Sequence, residues 1–161
     1  MKVINRFFFG TVVLIATSLI CVAQTVENTK PTKFDAELAK KLGADEYGMK
    51  NYVFVILKTG PNDAKYQGEE RKQMFAGHFS NMGKMAEDGK LVVAGPFNKN
   101  DRNYRGIFIL TVTTIEEAEK LVANDPTVKA GILVAEMTPW YGSASLIATP
   151  EIHKKIAKSN P

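Results

Sequence analysis

One cysteine and two histidines are all the thiol and imidazole chemistry that the 161-residue chain offers. A lone cysteine makes an internal disulfide impossible and a cysteine-based metal site with it. The two histidines come with no H-E-x-x-H spacing and no clustered acidic ligands, so no metal is expected. Glycine-rich phosphate loops and a G-x-S-x-G nucleophile turn are also missing, which sets aside nucleotide, phosphoryl-transfer and serine-hydrolase chemistry. No cofactor is expected. Glycine and proline are scarce, at 12 and 7 residues, while 45% of the chain is hydrophobic and 24% charged. Those proportions exclude disordered and collagen-like chains. The formal charge of +4 is small and dispersed. A nucleic-acid partner would need a basic stripe, and none is there.

What the sequence does have begins with an address. Lys2 and Arg6 precede residues 7–26, a stretch of 20 without a charge. It ends in Cys21-Val22-Ala23-Gln24, with a small residue before the cut. A positive start, an apolar run and a small-residue exit describe a secretory signal peptide, with residues 1–23 removed and Gln24 as the new N-terminus. A retained anchor is the alternative. Lipidation of Cys21 fits less well, because bulky Ile20 stands where that signal wants a small side chain. Removing Lys2 and Arg6 leaves 19 Lys+Arg against 17 Asp+Glu, so the basic balance belongs largely to the leader. The expected location is periplasmic or secreted. The mature chain has no thiol, and no stable membrane span is expected after cleavage.

Residues 24–50 are polar, with one short amphipathic piece in which Phe34, Leu38 and Leu42 recur every four residues until Gly43. Residues 51–58 (NYVFVILK) are β-branched, aromatic and apolar on both alternating faces, which predicts a central strand. A helix is predicted over 68–88, its inner face marked by Phe75, Phe79, Met82 and Ala86. Strands follow at 91–97 and 106–113, joined by a polar loop. Thr114 and Glu117 have capping-box spacing at the start of a second helix. Asp125-Pro126 starts another turn, with Asp as cap and Pro at the first helical position, before a last strand at 132–138. The order βαββαβ is the split βαβ pattern of a ferredoxin-like α+β fold. Both helices lie on one sheet face, so the apolar reverse face is expected to meet a second subunit in a homodimer.

His78 on the first helix, EDGKLVVAGPF at 87–97 and NDPTVKAGI at 124–132 together resemble the YCII-related family. The resemblance spans residues 52–140 and leaves out the leader, the polar 24–50 segment and the tail, 142–161. It implies a dimeric α+β barrel, similar to the muconolactone isomerase type. It also implies a catalytic pair beside a small pocket, which by motif position is His78 and Asp125. Members with a known reaction act on small, often aromatic or lactone-like compounds, as in elimination of chloride from a hydroxyquinol. The extensions and the export signal depart from the compact family form.

Chemically, an imidazole oriented by a carboxylate is a general acid or base that needs neither metal nor nucleophile. His78 has Met74 and Met82 at four-residue steps and so borders the inner stripe, where a histidine is also an ordinary boundary residue. Capping alone explains Asp125, although its second oxygen stays free for an imidazole N–H. Gly95, Pro96 and Phe97 are candidates for the pocket mouth, and Arg105 for meeting a substrate carboxylate as a fork-shaped donor. The first reading is a lyase- or isomerase-type enzyme acting on a small molecule; the rival is a non-catalytic binding domain of the same fold. Haem binding is a third and weaker option.

Overall fold

The structure is a computed structural model that describes residues 33–159; the expected leader at 1–23 lies outside the described residues. The elements run α1 (Ala36–Leu42), β1 (Met49–Thr59), α2 (Gly68–Glu87), β2 (Leu91–Pro96), β3 (Tyr104–Leu110), α3 (Ile115–Val122), α4 (Pro126–Lys129), β4 (Leu133–Ser143) and α5 (Thr149–Ile156). Short 3-10 turns occupy Asp63–Lys65 and Ala144–Ala148. The four strands form one sheet in the order β2-β3-β1-β4 with every neighbour antiparallel. β1 therefore crosses to β2 through α2 with β3 lying between them, and β3 crosses to β4 through α3 and α4 with β1 between. That is the α+β, ferredoxin-like topology.

Alternation along β1 divides the core in two. Val53, Val55 and Leu57 point to the helices, where Phe108 and Leu110 of β3, Met85 of α2, and Ala118 and Val122 of α3 close over them. Burying each such large apolar side chain contributes about 1.5–3 kcal/mol, so this layer is what fixes the helices to the sheet. Tyr52 and Ile109 turn to the reverse face and join Val92 in a smaller cluster. The reverse face was expected to be open, yet Leu146 and Ile147 from the 3-10 turn after β4 pack on this cluster. The chain's own C-terminal segment thus covers part of it. Val134, Trp140 and Phe97 remain substantially exposed.

Two further expectations change. Only half of the predicted inner face of α2 holds: Phe75 and Met82 pack on the core, but Phe79 and Ala86 are exposed, and His78 and Met85 are the buried residues. The last strand runs on to Ser143 instead of stopping at 138, because β4 is an edge strand. An edge strand tolerates Pro139, which lacks an N–H to donate. No helix among the described residues is long and apolar enough to cross a membrane.

Candidate active site

The start of α4 is dictated locally. Asp125 is extended, Pro126 supplies the first helical residue, and the Asp125 carboxylate accepts the Thr127 N–H at 2.9 Å. Bringing that cap to α2 requires a close approach, and Gly77 permits it. A Cβ at Gly77 would sit 2.6 Å from Pro126 Cγ, so any larger residue would wedge the two helices apart. The next residue along α2 is His78. Its Nδ1 lies 2.5 Å from Asp125 Oδ2, although the two residues are 47 positions apart in sequence.

The pair is sealed on most sides. Asp125 is 0% exposed and His78 7%. The imidazole stacks on Phe108 of the sheet, with ring centroids 6.0 Å apart, and meets Phe75 and Phe79 edge-on. Burial by itself pushes the Asp125 carboxyl up, but bonds from His78 and Thr127 outweigh it and hold the group below the usual carboxylate value. Asp125 is therefore ionised at neutral pH and can only accept, so His78 Nδ1 carries the proton between them, and Nε2 is the lone-pair nitrogen of the neutral imidazole form. None of the sealed side-chain nitrogens and oxygens among the described residues lacks a partner, and no described residue bonds Nε2. Phe79, 53% exposed, and Ala94, the exposed β2 partner of Phe108, lie on the helix side of the sheet.

The other site candidates divide between the two faces. Pro96 pairs with Gly106 and shares the His78 face, whereas Gly95 pairs with Ile107 on the reverse face. Phe97 packs on Tyr104, whose ring lies under Lys58 Nζ, and that group is also on the reverse side. The Arg105 carbonyl accepts the Phe97 N–H at 2.9 Å, and its exposed side chain makes no ion pair among the described residues. An open concavity of about 300 Å³ lies by Asp45, Lys50 and Tyr141, and none of the candidates lines it.

Sequence reasoning missed Thr127, Phe108 and Gly77. Thr127 Oγ1 donates to Asp125 Oδ1 at 2.6 Å. The only sequence signal for it was its place two residues after a cap, and Gly77 was legible only as a mid-helix glycine with no turn to explain it.

An α+β sheet whose two crossover connections bring an imidazole and a carboxylate together defines the class of protein. Residues 52–141 match the YCII-related domain, more than half of the chain, and the protein belongs to that family. No curated protein matches it. Among solved structures, one match is 5-chloro-2-hydroxyhydroquinone dehydrochlorinase from Burkholderia phenoliruptrix AC1100, in complex with 2,5-dihydroxybenzoquinone. It is 22% identical, with a TM-score of 0.40, over 55% of this chain and 92% of that one.

Proposed function

We propose that this YCII-family chain is a small-molecule enzyme of the lyase or isomerase type, with His78 as general acid–base and Asp125 as the group that orients it. The observation that carries the reading is the 2.5 Å bond from His78 Nδ1 to a buried, ionised Asp125, with no described residue bonded to Nε2. In this reading Nε2 takes a proton from a substrate carbon, and the carbanion's electron pair either expels a leaving group or shifts along a conjugated system. Asp125 stabilises the imidazolium formed in that step. The imidazolium then returns the proton to another substrate atom in an isomerisation, or releases it to water after an elimination. Of the mouth candidates, Pro96 shares the His78 face, and Arg105 is the candidate for an acidic substrate group.

The chain is further proposed to be exported to the periplasm or beyond, on the strength of the charge-free run at 7–26, and to form a homodimer through the uncovered part of the reverse sheet face. The deciding experiment is a turnover screen of small lactones, hydroxyquinols and related cyclic compounds with the native chain and His78→Ala. Loss of turnover by about 10²-fold or more in the variant is expected for a general acid–base. Unchanged turnover would remove His78 from the mechanism. Ligand protection that survives His78→Ala with no turnover by either protein would favour a non-catalytic binding domain.

A further inference from the structure

We infer that Thr127 is a positioning residue for the His78–Asp125 pair, clamping one carboxylate oxygen so that the other is left for the imidazole. Thr127 is 0% exposed, and two of its groups converge on Asp125 Oδ1: the backbone N–H at 2.9 Å and the hydroxyl at 2.6 Å. Any residue at 127 except proline supplies the first of these bonds, which is the ordinary cap of a helix start. The second needs a hydroxyl. Valine would fill the same volume without burying a polar oxygen, so the cap does not account for threonine at this position.

The geometry says what the hydroxyl does. It has a single proton, and that proton goes to Oδ1. Towards His78 Nδ1, 3.5 Å away, Thr127 Oγ1 therefore presents only lone pairs. Asp125 Oδ2 and Thr127 Oγ1 are both acceptors facing Nδ1, which stabilises the tautomer with its proton there and leaves Nε2 as the base. A sealed carboxylate also needs its donors to stay ionised. With the hydroxyl gone, the protonated form of Asp125 gains ground, and a neutral carboxyl can donate to Nδ1.

The functional weight of this inference rests on the acid–base reading, but its structural content does not. The test is nuclear magnetic resonance of the full chain carrying ¹³C-aspartate and ¹⁵N-histidine, comparing the native protein with Thr127→Val and Thr127→Ser. In Thr127→Val the Asp125 Cγ titration midpoint is expected to rise by roughly one to two pH units, because a bond to a charged group has been removed. Thr127→Ser should keep the midpoint close to native. An unchanged midpoint in a folded Thr127→Val, or an equal rise in Thr127→Ser, would overturn the inference. Should the valine variant not fold, the native protein decides: a Thr127 hydroxyl proton protected from exchange supports the clamp, and one exchanging at the solvent rate refutes it. None of these readouts needs turnover, so their failure is distinguishable from failure of the His78→Ala screen.

Discussion

Two glycines on one helix make a controlled experiment. Gly77 and Gly83 both lie within α2, so replacing either with alanine removes the same helix-interior penalty and should stabilise the protein by about 0.8–1 kcal/mol. Their surroundings differ. A Cβ at Gly83 meets nothing within 4 Å, while one at Gly77 would sit 2.6 Å from Pro126 Cγ. Carbon atoms rest at about 3.5–4.0 Å, so the proline ring, pinned at the start of α4, would have to retreat by about 1 Å. Overpacking of this kind costs about 1–3 kcal/mol, which exceeds the propensity gain at most of that range. Gly83→Ala is therefore expected to be about 1 kcal/mol more stable than the native chain, and Gly77→Ala lower than Gly83→Ala by about 1–3 kcal/mol. Urea unfolding followed by far-ultraviolet circular dichroism measures both. The His78 imidazole resonances should also move in Gly77→Ala and stay in Gly83→Ala, since the retreat of Pro126 carries Asp125 away. Equal stabilisation by the two substitutions would refute the claim that Gly77 sets the distance between α2 and α4.

Three further outcomes are expected. Asp125 has its carboxyl held below the ordinary value of 3.8 in the folded state, so its stabilising contribution is complete above that value and is lost as the pH falls through the lower folded one. Asn caps a helix about as well as Asp, so Asp125→Asn should retain the cap and lose that acid-dependent component, read as the difference between the two urea series from pH 6 downwards. Phe108, 2% exposed beneath the imidazole, should cost about 3–5 kcal/mol when replaced by alanine, whereas Phe79→Ala, at a half-exposed position, should stay within about 1 kcal/mol in the same assay. Mass spectrometry of the protein recovered from the periplasmic fraction of the producing cell should give a chain starting at Gln24; a mass that includes residues 1–23 would contradict export with cleavage.

The order of elements was legible because each carried its own local signal: the alternating run at 51–58, the caps at Thr114 and Asp125, and the glycine after α1. The phase of α2 was not. Hydrophobic spacing counts His78 as polar and so places the stripe on Phe79, yet burial of the imidazole is offset by a carboxylate 47 residues away, which spacing cannot see. Thr127 was hidden for a similar reason, since its hydroxyl matters only once α4 is docked on α2. Gly95, Pro96 and Phe97 were grouped as one pocket mouth; strand alternation separates them, sending Gly95 and Phe97 to the reverse face.

The imidazole and the carboxylate also belong to different halves of the chain, one carried by the β1–α2–β2 crossover and the other by the β3–α3–α4–β4 crossover. Each half contributes two strands, and the sheet interleaves them, so neither half owns a contiguous sheet. A fragment ending in the loop before Tyr104 would hold the base without its anchor, and the remainder the anchor without its base. The pair thus depends on both halves of the chain being present in one fold. Neither of two such fragments alone could make the His78–Asp125 bond, and mixing them would recover it only if they associate.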